Sequence, residues 1–176
     1  MSCRRLVFDT GPLSSFAVVT RLDLLEAICA GHGAWPLSVR RELRAGARVV
    51  PALDRAHKVG FLGVPEVLER PADLLDAELL RVRLAGSSLG PRRNRGEAEA
   101  IFLARRRGGV FVSEDRDALV LAAGELSPAR VVDTPGLLAR AVRTGLVEPE
   151  EAWTTYRAML AAGRRLGRLN PDLFGH

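Results

Sequence analysis

The chain has 176 residues, 47% hydrophobic and 27% charged, with 26 Lys and Arg against 21 Asp and Glu and a net charge of +5. That balance describes one globular domain with a full core and excludes a disordered chain, a collagen-like chain and a disulfide scaffold. Cys3 and Cys29 form no CxxC pair, and His32, His57 and His176 are not spaced as metal ligands. No apolar run approaches the roughly 20 residues that span a bilayer, so a reduced, cytoplasmic protein without secretion signal or membrane anchor is expected.

Arg5 to Phe8 is a short buried-strand candidate ending at Asp9, and Pro12 suits the first turn of a helix. Ser14 to Val19 and Leu22 to Ala30 read as helical, stopped by Gly31 and Gly33. Ala34 to Leu37 is a strand or extended link, and Ser38 is placed to cap a helix over Val39 to Ala45. Residues 47–60 are expected to be helical, Phe61 to Val67 extended, and Ala72 to Leu84 helical, closed by a Gly- and Ser-containing loop up to Pro91. Helices are predicted over Glu97 to Arg107, Asp115 to Ala123, Pro135 to Thr144 and Glu148 to Leu166, with buried strands at Val110 to Val112 and Arg130 to Val132. Strands separated by helices imply βαβ units. Strands that are apolar without alternation imply a sheet covered on both faces. The fold class is therefore α/β, a three-layer α/β/α sandwich around a central, mainly parallel sheet. Residues 1–147 hold the motifs, and residues 148–176 read as a C-terminal helical extension of the same domain.

In such a sheet, chemistry sits where strands end. Asp9 follows the first strand, Asp115 and Asp117 follow the Val110 to Val112 strand, and Asp133 follows the last. Singly, each reads as a helix cap or first-turn acid. On its helix, Glu97 shares a face with Ile101 and Ala104, which should point at the sheet, whereas Glu99 falls on the far side with Arg106. Glu42 flanks the Val39 and Leu43 stripe. A carboxylate on a core-facing stripe is expensive unless paired or bound to a metal. Asp9, Glu42, Glu97, Asp115 and Asp117 together form a carboxylate-rich candidate site, with the hydroxyls of Thr10 and Ser113 beside it. Clustered carboxylates without histidine suit Mg²⁺ or Mn²⁺, ions that activate water and clamp phosphoryl oxygens.

Four segments in order resemble one family. Val7-Phe-Asp-Thr-Gly-Pro-Leu13, Ser38-Val-Arg-Arg-Glu-Leu43, Gly96-Glu-Ala-Glu-Ala-Ile101 and Val112-Ser-Glu-Asp-Arg-Asp-Ala118 are similar to the acidic motifs of the PIN domain, especially the VapC-type toxin ribonucleases. Thr134-Pro-Gly-Leu-Leu138, followed by Gly145-Leu-Val147, is similar to one PIN subgroup. Ser113 stands where threonine is commoner, and Glu114 is an extra acid. The resemblance implies a metal-dependent endoribonuclease leaving 3′-hydroxyl and 5′-phosphate ends. Asp9, Glu97 and Asp115 would be metal ligands, Glu42 and Asp117 would complete the site, and Thr10 and Ser113 would support it. It also implies a homodimer and, for a toxin, an antitoxin protein partner.

The sequence pI is about 10.4. Pro91 to Arg107 carries Arg92, Arg93, Arg95, Arg105, Arg106 and Arg107 against Glu97 and Glu99. Arg92, Arg93 and Arg95, read as the loop before Glu97, are candidates for holding RNA phosphates. Arg105 to Arg107 fit a helix end complementing its dipole, and Arg164, Arg165 and Arg168 fit a solvated helix end or partner surface. Three other readings stand beside the nuclease: a Toprim-like domain, a degenerate PIN module that binds RNA or a protein without cutting, and an interaction protein whose acids are all caps.

Overall fold

The computed structural model describes residues 4–85 and 94–167. Four strands, β1 (Leu6–Phe8), β2 (Gly33–Ala34), β3 (Val110–Val112) and β4 (Val131–Val132), form one sheet in the order β2-β1-β3-β4 with every pairing parallel. The two central strands pair Leu6 with Val110 and Phe8 with Val112, so β1 and β3 end level with each other. Side chains on a strand alternate between faces, and the two cores follow that alternation. Leu6, Phe8, Val110 and Val112 enter one core, Val7 and Phe111 the other.

The first core is built on α1 (Thr10–Val18), α2 (Leu22–Cys29), α3 (Leu37–Gly46), α4 (Leu53–Ala56), α8 (Thr134–Arg143) and α9 (Pro149–Ala161). The second is built on α5 (Pro71–Ala85), α6 (Arg95–Arg107) and α7 (Arg116–Glu125). This is the expected three-layer α/β/α sandwich. Among the described residues, no helix is long and apolar enough to cross a membrane. The Cys29 thiol is 1% exposed, and burial, then the Glu26 charge, push its pKa up to about 12, which leaves it an inert core group.

Four local expectations change. The helix expected over 47–60 shrinks to α4, because Pro51 has no N–H to give and pushes Val50 out of helical geometry. Val49 and Val50 instead turn back to the Gly46 carbonyl. Ser38 is not a cap: α3 starts two residues earlier, after Pro36, and the Ser38 hydroxyl donates to Glu99 at 2.6 Å. Phe61 to Val67 contributes one parallel bridge, Pro36 to Glu66, rather than a strand. The last helix stops at Ala161, not Leu166, because Gly163 takes a left-handed φ of 80°. Gly163 N–H then donates to Leu160 and Arg164 N–H to Met159, closing the helix and turning the chain back over the domain.

Candidate functional site

Asp9 leaves the end of β1 and caps α1, accepting 2.7 Å from the Gly11 N–H. Its other carboxylate oxygen accepts from the Ser113 hydroxyl at the end of β3. Ser113 is fully buried, and its oxygen also accepts from the Asp115 N–H at 3.0 Å. Asp115 caps α7 through the Ala118 N–H at 2.8 Å. One serine thus links the two aspartates that follow neighbouring strands. Asp133 is a plain cap of α8. Asp9, Asp115 and Asp133 all bear out their reading as caps, but only the first two also meet other acids.

Glu42 crosses from α3 to the start of α6. Thr10 donates to it at 2.5 Å and the Gly96 N–H at 3.2 Å. A Cβ on residue 96 would lie 2.9 Å from both Glu42 oxygens, so only glycine lets the carboxylate sit on the helix start. Glu97, one residue on, is half-buried. It lines a cavity of about 220 Å³ with Asp115, Asp117 and Asn94. Asp115 and Asp117 are exposed at its rim.

The electrostatics tie the set together. Burial pushes the Asp9 carboxyl well above its ordinary pKa. The bonds from Ser113 and Gly11 oppose this, and the charges of Glu97 and Glu114 add to it. Burial is also the largest cause raising Glu42, against its bonds from Thr10 and Gly96. Burial raises Glu97 too, followed by repulsion from Glu42 and Asp115. None of the five acids forms an ion pair with a described residue.

Oxygen-only donors of this kind fit a hard divalent cation. The expected direct sharing of one ion is not preformed: among the described residues, no group of three or more Asp, Glu, His or Cys is gathered tightly enough to hold a metal ion. The reason is visible in the bonds. Asp9 and Glu42 turn their oxygens to N–H and O–H donors, and like charges stay apart without a counter-cation.

Other residues depart from the sequence reading. Glu99 is 6% exposed, not solvated, and accepts from Ser38 at 2.6 Å and Arg95 at 2.7 Å. Arg95 is therefore the first residue of α6 rather than a loop residue, with its Nε committed to Glu99. Arg92 and Arg93 lie outside the described residues. Arg105, Arg106 and Arg107 do more than complement a dipole. Arg105 bonds Asp76 and Glu125, Arg106 bonds Asp73, and Arg107 bonds Glu66.

Two residues beside Asp9 escaped the sequence reading. Glu114 accepts from Thr134 at 2.7 Å and from Arg164 at 3.1 Å. Arg164, expected at a solvated helix end, also reaches Ser15 at 2.7 Å and the Gly11 carbonyl at 3.3 Å. A signal for Glu114 was present. Phe8-Asp-Thr and Val132-Asp-Thr are sequence echoes, and in both the aspartate caps a helix while the threonine holds a glutamate, Glu42 or Glu114.

A family model described as a PIN domain matches residues 5–170, from β1 through the end of α9. No curated protein and no solved structure matches the chain. PIN domains are generally nucleases and typically use divalent metals. With the parallel sheet and the acids at its strand ends, that match establishes that the chain belongs to the PIN domain family.

Proposed function

We propose that this protein is an endoribonuclease that uses Mg²⁺ or Mn²⁺ to hydrolyse RNA phosphodiester bonds. One observation carries the reading: Asp9 and Asp115 leave neighbouring strands, joined by Ser113, with Glu97 electrostatically coupled to both and, among the described residues, no arginine in an ion pair with any of them. Asp9, Glu97 and Asp115 would hold the ion, with Glu42 and Asp117 completing the site. A bound divalent cation lowers the pKa of a coordinated water and offsets charge on the phosphoryl oxygens.

The chain's own residues do the positioning. Ser113 fixes the Asp9 carboxylate and the Asp115 backbone, and Thr10 fixes Glu42, so two hydroxyls set the directions of two carboxylates and the position of a third acid's main chain. None of the described histidines lines the acidic cavity, so no imidazole removes the proton from water there. Water oxygen attacks phosphorus, the bond from phosphorus to O3′ breaks, and O3′ leaves as a hydroxyl. The products carry 5′-phosphate and 3′-hydroxyl ends. Because RNA and the site are both anionic, cleavage requires the cation's charge between them.

The test is incubation of RNA with Mg²⁺ or Mn²⁺, with and without EDTA, followed by end-group analysis. Cleavage with 5′-phosphate ends that stops on chelation supports the proposal. Cleavage that survives EDTA, or products with cyclic phosphates, refutes it. RNA binding without cleavage would favour the degenerate module. A homodimer and an antitoxin partner belong to the toxin form of this proposal. Light scattering showing a 19.1 kDa monomer at micromolar concentration would count against the homodimer.

A further inference from the structure

The strongest unexplained feature is basic and lies on the other side of α3 from the acidic site. A groove of about 860 Å³ between α3 and α4 is lined by Arg40, Arg41, Arg44, Arg48 and Lys58, with Asp54 the one carboxylate among its described lining residues. Asp54 is already taken, by Lys58 at 2.7 Å and His57 at 3.1 Å. Arg40 is pinned by its bond to the His57 carbonyl. Arg41, Arg44 and Arg48 are exposed and make no hydrogen bond or ion pair with any described residue. Arg44 sits in the last turn of α3, where the helix dipole accounts for a cation. The dipole does not account for Arg41.

We propose that this groove binds the sugar-phosphate backbone of single-stranded RNA, as a second contact for the strand whose cleavage was proposed above. Positions 41, 44 and 48 repeat every three to four residues and so present cations about 5 Å apart along one side of α3 and the turn after it. Arginine forks suit phosphate oxygens. Among the described residues the groove wall holds Leu37, Ala45, Ala47 and the buried His57 but no Phe, Tyr or Trp, so it offers little surface for stacking bases and none of the large aromatic anchors of a protein interface. Its contacts are therefore to phosphates and blind to sequence. Arg41 and Glu42 are adjacent on α3, so the groove and the acidic site are one helix width apart, about 10–12 Å. A strand crossing α3 reaches both, and the groove supplies the attraction that the acids withhold.

The experiment measures binding of a single-stranded RNA of about 20 nucleotides by fluorescence anisotropy in EDTA, across a salt series. It compares the wild type with R41Q/R44Q/R48Q. Affinity should fall at least about tenfold at low salt, and the slope of log K against log salt should flatten by about 2, some 0.7 for each lost phosphate contact. R44Q alone should flatten it by about 0.7, which keeps the test available if the triple variant folds poorly. With Mg²⁺ or Mn²⁺, cleavage of a dinucleotide, whose single phosphodiester cannot occupy both sites at once, should be unchanged. Unchanged affinity and slope in the variants overturn the proposal. So does a wild type that binds no RNA, or a loss confined to a polyglutamate probe, which would mark an acidic protein as the occupant. A wild type that binds through the groove but cuts nothing leaves this site standing and overturns only the nuclease reading.

Discussion

The two ends of α6 handle negative charge in opposite ways. At its C-terminal end, Asp73, Asp76, Glu66 and Glu125 each meet an arginine of the run Arg105 to Arg107 at 2.7 to 2.9 Å. The Glu125 carboxyl is held below its ordinary range by Arg83, with Arg105 adding to the effect. At its N-terminal end, Glu97 and Glu42 meet Asp9 and Asp115, every bond to these acids from the described residues comes from a neutral donor, and burial pushes three of the four carboxyls upward. Residue types and helix are the same. Where a carboxylate is structural, the chain supplies its cation. Where no described residue pairs with the acids of a partly buried cluster, the charge is left for a ligand to balance.

The largest effect expected from that contrast is on cleavage. Asp9→Asn keeps the cap and the volume but removes the charge, so metal-supported cleavage should fall by more than the 10–100-fold typical of an outer partner. Ser113→Ala removes a residue that orients Asp9 and the Asp115 backbone without holding the ion, and its loss should fall within that range. RNA cleavage rates at fixed Mn²⁺ measure both, and an Asp9→Asn enzyme with near wild-type rates would erase the contrast.

At the other end the loss should appear in stability alone. Asp73 is 6% exposed and bonds Arg106 at 2.7 Å, with Arg70 at 3.6 Å. Arg106→Met leaves this carboxylate underpaired at a cost of about 1–3 kcal/mol, read by denaturant unfolding, with the cleavage rate unchanged. A stability unchanged by this substitution would show that the C-terminal pairs are ornamental surface contacts.

A smaller effect is expected where the two kinds of charge handling meet. Glu114 is a buried acid beside Asp9 that does have its arginine, Arg164. Arg164→Met should slow cleavage about tenfold while leaving metal affinity, read by calorimetry, much less changed than in Asp9→Asn. Arg164→Lys should rescue only in part, because one ammonium cannot fork to Ser15, Gly11 and Glu114.

What the sequence made legible follows the local rules. Asp9, Asp115 and Asp133 were readable as caps because a cap is decided within four residues. The parallel sheet was readable because strands buried on both faces carry no polar alternation. Glu99 was misplaced for a physical reason. A helical wheel assumes one solvated face, and residues 98–104 of α6 are buried all the way round, between α3, α5, α7 and the sheet. Arg164 was misplaced because its partners lie 50 or more positions away and depend on a turn at Gly163. The basic groove was missed because counting charge along the chain favoured Arg92 to Arg107, whereas pairing in space neutralises four of that run's six arginines and leaves Arg41, Arg44 and Arg48 without a described partner.

The finest prediction concerns pH in the metal-free protein. Asp9, Glu42 and Glu97 have folded-state values above those of the unfolded chain, chiefly through burial. Between the unfolded value near 4 and the raised folded values, the folded protein binds more protons than the unfolded chain. Stability from these groups is therefore complete below about pH 4 and is lost as pH rises through the folded values. Asp54, Glu78 and Glu125 are lowered by their cationic partners and act oppositely, but their gain is already complete above the unfolded values. Asp9→Asn removes one raised group, and histidine titration cancels in the difference between the two proteins. In EDTA, from about pH 5 to about pH 8, the wild type should lose stability relative to Asp9→Asn. Adding Mn²⁺ at the alkaline end should raise the melting temperature of the wild type and not of the variant. Melting curves that run parallel in both proteins across this range, with no manganese shift, would mean that the acids at the start of α6 are balanced as fully as those at its end.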